Sequence, residues 1–320
     1  MTKAFITDLT EGTTIASFFL AKNIQTASKK SGESYLKLVL SDKTGQAAAV
    51  YWDPVTDETR EIKEGDVVKV QVQVGNYQGT RQLTVQRLRK AMPDEVTIED
   101  YLPRSTQDPE AMLAKLDGLV GGLTNPDLKA LLAKMFGTPA LRSAYAAAPG
   151  AMHLHHAVLG GLLEHSLSTA ETCEFLAGHY PAIDRDLLLA AALVHDIGKI
   201  KELAWDRLFA HTDPGNLLGH ITLGTMAIEK FIASLPEFPA ELTMNLLHCV
   251  LSHHGKKEWG SPVEPATLEA LVLHRAEDLD SKVAAFLTHA ETAPDPQHEG
   301  WTLWNKQFGR SLRLPLAKAA

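Results

Sequence analysis

The sequence is poor in cysteine and has no long apolar run. Its 320 residues include two cysteines, Cys173 and Cys249, which are too few for a disulfide framework. No apolar run approaches the roughly 18 to 20 residues that cross a bilayer, and no apolar signal segment follows the first residues. These absences argue against disulfide-stapled and membrane-spanning proteins, and they predict a cytoplasmic protein with no membrane partner.

Histidine is absent from the first 152 residues, although the chain contains fourteen. Charge is uneven as well: residues 1–90 carry 13 Lys and Arg against 10 Asp and Glu, and residues 91–320 carry 18 against 29. The net charge of −8 therefore comes from the second part of the chain. With 45% hydrophobic and 22% charged residues, the composition is that of globular domains, and the length predicts about two of them.

The first part of the chain has the pattern of a small β-barrel. Strands are expected at 14–20, 35–40, 47–52, 67–74 and 81–88, and the last two alternate apolar and polar residues with period two. A helical stretch at 57–63 falls between the third and fourth strands, where an OB-fold carries its helix. We therefore expect an all-β OB-fold barrel as an N-terminal domain over residues 1–92.

Beyond about residue 97, apolar residues recur at helical spacing. Pro109 and Pro126 follow capping residues and mark helix starts. Further helices are expected near 140–148, 156–178, 184–195, 219–234, 239–254, 265–290 and 301–312. The sequence predicts a helical connector over 93–150 and an all-α helical bundle over 151–320.

Histidines and acids form an ordered series on or beside these predicted helices. The series is His165, His195, Asp196, His220, His253, His254, Glu277, Asp278 and Asp280. Imidazole and carboxylate suit first-row transition metals, and a carboxylate between two ions can bridge them. Asp196 follows the very apolar segment 187–194, where a buried carboxylate is costly unless it is paired or binds a metal. The series therefore predicts a metal centre.

Two further residues are predicted to act on the substrate. Lys199 follows Asp196 within one helical turn, where its ammonium could hold a phosphate oxygen and stabilise charge during phosphoryl transfer. We therefore expect catalytic roles for Asp196 and Lys199. His156 lies in a run of closely spaced histidines, and we expect it at the mouth of the site, in contact with the substrate.

The ordered series resembles the HD-domain metal-dependent phosphohydrolase superfamily, whose H…HD…D motif gains further histidines in members with two metal ions. The matching positions, in order, are His165, His195, Asp196, His220 and either His253 or His254. The resemblance implies that His165, His195, Asp196 and a late acid hold one ion, and that Asp196 bridges to a second ion bound by the later histidines. The match runs over about residues 150–290.

The late acid can be aligned in two ways. The superfamily commonly has an aspartate after an alanine or before a leucine. Alignment on Ala276 selects Glu277, and alignment on Leu279 selects Asp278. We favour Asp278 from the sequence.

The barrel before the helical motif resembles the YhaM-type 3′→5′ exoribonucleases of this superfamily. Segments 35–45, 51–53, 155–167 and 273–282 carry the resemblance. It implies a metal-dependent phosphodiesterase that releases 5′-nucleotides from the 3′ end of single-stranded RNA, with single-stranded DNA as a further candidate substrate. Two divalent ions are implied. Mn²⁺ or Fe²⁺ is favoured over Zn²⁺ because the ligand set has no thiolate, and Mg²⁺, Co²⁺ and Ni²⁺ stay open.

Single strands bind by stacking bases on aromatic side chains over basic surface. The barrel residues predicted to do so are Tyr35, Lys37, Tyr51, Trp52 and Arg81. A second hypothesis is a hydrolase of small nucleotides in which the barrel binds a partner or assembles a homo-oligomer. A third, a binding module with a degenerate metal site, is disfavoured by the complete ligand series.

Overall fold

The computed structural model describes residues 3–77, 80–97, 100–152 and 156–315. Two compact units are present: Met1–Arg104 with Trp205–Leu208, and Ser105–Ala204 with Phe209–Ala320. The functional domain limits predicted from the sequence, 1–92, 93–150 and 151–320, stay predictions. His153 and His155, in the histidine run that includes His156, lie outside the described residues.

Five strands close into a barrel in the first unit. They are β1 (Thr14–Ser28), β2 (Ser34–Asp42), β3 (Gly45–Tyr51), β4 (Val67–Tyr77) and β5 (Thr80–Lys90). The strand order is β1-β2-β3-β5-β4, with β1 paired to β4 to close the ring and with β3 and β5 parallel. Helix α1 (Asp57–Arg60) lies between β3 and β4, as predicted. The expected OB-fold barrel is confirmed.

The alternating pattern of β4 explains the barrel interior. Val68, Val70, Val72 and Val74 are buried in one apolar core, because successive side chains of a strand point to opposite faces. Their polar neighbours Lys69, Gln71 and Gln73 lie between them in the sequence and are half-buried or exposed. The period-two signal therefore identifies which side chains fill the barrel.

The second unit is helical. Its elements are α2 (Pro109–Gly121), α3 (Pro126–Phe136), α4 (Pro139–Ala147), α5 (Gly161–His179), α6 (Arg185–Val194), α7 (Lys199–Glu202), α8 (Asp213–Ile232), α9 (Ala240–Ser252) and α10 (Leu268–Thr292), with a short strand pair β6 (Leu203–Ala204) and β7 (Ala210–His211). The strand pair is a small addition to the predicted helical bundle. Helix α6 packs against α3, α5, α9 and α10, which explains why it is apolar on every side. In the described part of the chain, no helix has the length and apolarity needed to span a membrane.

The helix predicted at 301–312 is wrong. This segment forms isolated bridges, which pair Trp301 with Arg313 and Asn305 with Arg310. Gly300 and Gly309 have φ values of 78° and 63°, in the left-handed region that interrupts a right-handed helix. Leu303 and Trp304 in this segment are both exposed.

Two backbone features fix the path of α8. Gly219 has φ 70° and ψ 157°, so α8 is broken one residue before His220. Gly198 meets α8 without a side chain, and a Cβ built on Gly198 would lie 1.9 Å from the His220 carbonyl oxygen. The short helix α7 and the broken helix α8 therefore approach as closely as backbones allow.

Candidate metal centre

Helix ends and helix faces bring the predicted ligands together. His165 lies on α5, His195 and Asp196 follow α6, His220 lies just after the break in α8, His253 and His254 follow α9, and Glu277 lies on α10. Helix ends suit this task because the chain can change direction there while the preceding helix is held by packing. Five separate elements thus converge on one buried region.

Among the residues that the structure describes, three sets of three side chains could each hold a metal ion, and one of them, His156, His165 and Asp280, shares His165 with another. The other two sets are the groups that meet at Asp196. The first group is His165, His195 and Asp196, and the second group is His220, His253 and His254; within each group the candidate ligand atoms lie within 4.8 Å of one another. All three residues of the first group are buried. In the second group His253 is buried, whereas the other two are half-buried.

Asp196 joins the two groups. Its Oδ2 lies 3.6 Å from His165 Nε2 and 3.5 Å from His195 Nε2. Its Oδ1 lies 3.4 Å from His220 Nε2 and 3.5 Å from His253 Nε2. One carboxylate oxygen therefore faces each group, as a carboxylate that bridges two cations must.

The hydrogen bonds of the five histidines set their tautomers. Each Nδ1 has an acceptor, namely Asp280 Oδ2 for His165, the Ala192 carbonyl for His195, Glu202 Oε1 for His220, the Val250 carbonyl for His253 and the Trp259 carbonyl for His254. Because carbonyl and carboxylate oxygens only accept, each Nδ1 carries the hydrogen and each neutral ring keeps its lone pair on Nε2. This is the tautomer that binds a metal through Nε2.

The residues fit a divalent cation. Asp196 Oδ1, His220 Nε2 and His253 Nε2 are buried, and none has a hydrogen-bond partner among the described residues. In the first group, His165 Nε2 and His195 Nε2 lie 3.2 Å apart. Buried acceptors without a donor are costly, and a cation in each group would satisfy them. These side chains support the predicted divalent metal binding, and the identity of the metal stays a prediction.

Charge within the centre favours an ionised Asp196. Burial by itself would raise the pKa of this carboxyl, but the Lys199 ammonium and His195 outweigh burial and hold the pKa well below its usual range. Lys199 Nζ lies 2.6 Å from Asp196 Oδ2 and donates to the Gly150 carbonyl at 2.6 Å. Lys199 is itself buried, so its ammonium neutralises Asp196 and is not presented to solvent. The role of Lys199 on phosphate stays a prediction.

The acidic side chains Glu277, Asp278 and Asp280 of α10 point in different directions because they occupy different positions around the helix. Burial raises the pKa of Glu277 to about 7, and among the charged groups His195 lowers this pKa and Asp196 raises it. Asp278, favoured from the sequence, instead accepts from Lys282 Nζ at 2.7 Å and is not brought to the histidines. Asp280 accepts from His165 Nδ1 at 2.7 Å and also from Ser168. Glu277 is half-buried on α10 and the charges of His195 and Asp196 act on it, so it is the alternative to Asp278, and the choice between the two stays a prediction.

Of the two supporting carboxylates, Asp280 belongs to the series predicted from the sequence but had no role assigned to it, and Glu202 was not recognised from the sequence. Asp280 follows Glu277 by three positions, so both acids lie on one face of α10, whereas Asp278 does not. That spacing was a usable signal. No pattern in the sequence pointed to Glu202, because it contacts His220 only through the close packing of α7 and α8. Its Oε1 accepts from both the backbone N–H and Nδ1 of His220 at 3.0 Å.

His156 is held by carboxylates. Its Nε2 lies 3.1 Å from Asp280 Oδ2, and its Nδ1 lies 3.8 Å from Glu164 Oε2. Burial would lower the pKa of this imidazole, but the two carboxylates outweigh burial and raise the pKa to about 9. The structure thus places His156 behind His165, and its predicted contact with substrate stays a prediction.

The barrel residues predicted to bind nucleic acid do not share one environment. Tyr35 and Trp52 stack with ring centroids 4.5 Å apart, and Trp52 is 46% exposed. Lys37 is exposed, with its Nζ 5.8 Å from the Tyr35 ring centroid. Arg81 is exposed and donates to the Ile6 carbonyl at 2.7 Å. Tyr51 is 9% exposed and packs in the barrel core, and its predicted contact with nucleic acid stays a prediction.

Comparisons with known proteins agree with this architecture. A model of the HD domain matches residues 162–282, and a model of an OB-fold nucleic acid binding domain matches residues 21–91. The chain is similar to a protein named 3′-5′ exoribonuclease YhaM from Bacillus velezensis, with 35% identity over 278 residues, which cover 85% of this chain and 86% of the relative.

Two solved structures are similar to parts of the chain. One is the second OB-fold domain of replication protein A from Methanococcus maripaludis, with 19% identity, a TM-score of 0.23 and coverage of 30% of this chain and 99% of that one. The other is the HD domain of the phosphodiesterase PgpH from L. monocytogenes, with 19% identity, a TM-score of 0.30 and coverage of 46% of this chain and 74% of that one.

Proposed function

Because this chain belongs to the YhaM family of OB-fold and HD-domain proteins, we propose that it is a metal-dependent 3′→5′ exoribonuclease. It would hydrolyse phosphodiester bonds of single-stranded RNA and release 5′-nucleotides, with single-stranded DNA as a further substrate. The observation that carries the proposal is Asp196, whose two oxygens face two separate histidine groups.

The residues of this centre have different roles. The first group with Glu277 would hold one ion and the second group would hold the other, with Asp196 shared between them. Two divalent ions held there supply an activated water and neutralise charge on the phosphate. Asp280 and Glu202 fix the orientation of His165 and His220 through their Nδ1 atoms. Lys199 keeps Asp196 ionised and offsets its charge.

The ligand chemistry favours Mn²⁺ or Fe²⁺. Imidazole and carboxylate are the only donor types in the two groups. Both cysteines are buried, and burial raises the pKa of each thiol to about 12, so neither supplies a thiolate. A set without thiolate suits Mn²⁺ or Fe²⁺ better than Zn²⁺.

The barrel supports a single-stranded substrate. The stacked pair Tyr35 and Trp52 offers an exposed aromatic face, and Lys37 lies beside it. Base stacking on such a ring is worth about 1–3 kcal/mol and does not depend on sequence. The excess of Lys and Arg in residues 1–90 favours binding to phosphate.

The test is digestion of single-stranded RNA labelled at one end. With Mn²⁺ present, a label at the 3′ end is expected in the first mononucleotide released, and a label at the 5′ end in the last products. A chelator should stop the reaction. Retention of the 3′ label, together with hydrolysis of free nucleotides, would overturn the proposal in favour of a small-nucleotide hydrolase.

A variant of Trp52 separates the barrel from the metal centre. Trp52→Ala is expected to raise the KM for long RNA by a factor that corresponds to about 1–3 kcal/mol, because one stacking surface is lost. Hydrolysis of a dinucleotide should not change, since the metal centre is intact. Trp304→Ala removes a tryptophan that is 67% exposed and serves as the matched control.

A further inference from the structure

We infer that Trp259 forms a nucleotide-binding subsite beside the second histidine group, where one base of single-stranded RNA stacks on the indole ring. The inference rests on the proposed exoribonuclease function and names a substrate contact outside the barrel. Its ligand is a nucleotide of the strand being degraded, recognised by its base face and its phosphate.

The backbone of Trp259 is tied to the metal centre. Its carbonyl accepts the hydrogen bond from His254 Nδ1 at 2.9 Å, so it fixes the tautomer of one histidine of the second group. Trp259 ends a short 3₁₀ segment, Lys257–Trp259, and Gly255 and Gly260 on either side of this segment have φ values of 79° and 91°. These left-handed glycines turn the chain sharply, and the loop places the tryptophan within one hydrogen bond of a candidate ligand.

The indole ring is exposed and has two cations near it. Trp259 is 45% exposed, with Lys256 Nζ at 4.6 Å and Lys282 Nζ at 5.8 Å from the ring. An aromatic face together with Lys side chains is the combination that holds a base and its phosphate.

Both lysines can be recruited by a phosphate. Lys256 pairs with Glu258 at 3.5 Å, and Lys282 pairs with Asp278 at 2.7 Å. All four side chains lie near the surface, where such ion pairs contribute about 0–1 kcal/mol. A phosphate group can therefore compete with these carboxylates for the ammonium groups. Asp278 would then hold Lys282 beside the ring until the substrate binds.

A cavity lies beside the loop that carries Trp259. Its volume is about 580 Å³, and its lining includes the cations Lys256, Lys257 and Arg275, the carboxylates Glu258 and Glu264, and His274. Two of these residues also flank the indole, since His274 lies 6.1 Å from the Trp259 ring between centroids and Lys256 lies over its face. The volume is within the range of small-ligand sites. Ring, cations and cavity together make room for a nucleotide next to the second group.

The experiment compares four proteins on an RNA dinucleotide: wild type, Trp259→Ala, Trp259→Phe and Trp304→Ala. Loss of stacking worth about 1–3 kcal/mol predicts a KM about 5- to 150-fold higher for Trp259→Ala, with a much smaller change in kcat. Trp259→Phe keeps a stacking face and should recover most of the loss. Trp304→Ala should match the wild type. The stoichiometry of Mn²⁺ binding should be equal in all four, since no candidate ligand is changed.

Two further measurements keep the outcome decisive. Lys256→Gln should reduce the slope of log affinity against log salt by about one, because one phosphate contact is lost. An unchanged KM in Trp259→Ala would overturn the subsite while leaving the exoribonuclease proposal standing. If the wild type digests no RNA, the proposed function fails, and titration of the wild type and Trp259→Ala with a 5′-mononucleotide still tests the subsite.

Discussion

The two histidine groups share Asp196 but differ in how deeply they are buried and in which carboxylate orients a histidine of each group. Every residue of the first group is buried, and Asp280 on α10 orients His165. The second group is partly open, and Glu202 orients His220 after the break in α8. A buried set of ligands loses its ion slowly and is shielded from solvent, whereas an open set can exchange ligands with water and substrate.

This difference suggests unequal roles for the two ions. We expect the first group to hold its ion more tightly and the second group to contact the scissile phosphate. The Trp259 loop supports that division, because it reaches the centre through His254 of the second group. If the groups were equivalent, variants in either one would have the same effect on metal affinity and on substrate binding.

Removing the shared carboxylate should have the largest effect, because it damages both groups at once. Asp196→Asn is expected to lower kcat about a thousandfold, since metal ions supply several kcal/mol and each ~1.4 kcal/mol is a factor of ten. Mn²⁺ titration by calorimetry should show both binding phases weakened. Asp117→Asn, which breaks an exposed ion pair with Arg142, is the control and should retain full activity. Full activity in Asp196→Asn would contradict the bridging assignment.

Ligand variants should distinguish the two groups. His165→Ala and Glu277→Gln are expected to abolish the tighter Mn²⁺ phase, and His254→Ala the weaker one. Each affinity should fall by about a hundredfold or more, above the range for a supporting residue. Electron paramagnetic resonance of free Mn²⁺ measures both phases. If His254→Ala removes the tighter Mn²⁺ phase, the assignment of that phase to the first group is wrong.

The supporting carboxylates should produce an intermediate effect confined to one group. Asp280→Ala is expected to weaken the first phase and Glu202→Ala the second, each by about 10- to 100-fold. Asp280→Asn and Glu202→Gln keep an acceptor oxygen and should recover part of the loss. Equal weakening of both phases by either alanine variant would mean that the groups are not independently supported.

The smallest effect is expected from the acid that the sequence favoured. Asp278→Asn should leave both Mn²⁺ phases unchanged, because its carboxylate contacts Lys282 and not a histidine. Losing this exposed pair should cost about 0–1 kcal/mol of stability, measured by thermal unfolding. A weakened first phase in Asp278→Asn, with none in Glu277→Gln, would restore Asp278 as the ligand.

The sequence patterns predicted the structural features that depend on the order of neighbouring residues. The alternation of β4 and the proline-marked starts of α2 and α3 are local signals, and both were correct. The histidine series also needed only the order of residue types along the chain. Its members come together because each lies on or beside an element whose burial is set by its own apolar pattern.

The directions of individual side chains and the close approach of helices were harder to predict from the sequence. Neighbouring acids on α10 point about 100° apart, so the choice between Glu277 and Asp278 required the phase of the helix. Tyr51 and Trp52 are adjacent, yet one is in the barrel core and the other is exposed just beyond β3. The apolar residues of the 301–312 segment have helical spacing, but the left-handed backbone conformations of Gly300 and Gly309 prevent a helix there. Glu202 depended on packing between α7 and α8, which no local pattern reports.

The contact between Gly198 and α8 bears on how homologous chains are classified. A methyl group at position 198 would collide with the His220 carbonyl oxygen and with the backbone nitrogen of Gly224. Such a chain would keep every ligand of the motif and still lose the spacing between Asp196 and His220. A single substitution of this glycine would therefore disrupt the metal centre although every candidate ligand is retained.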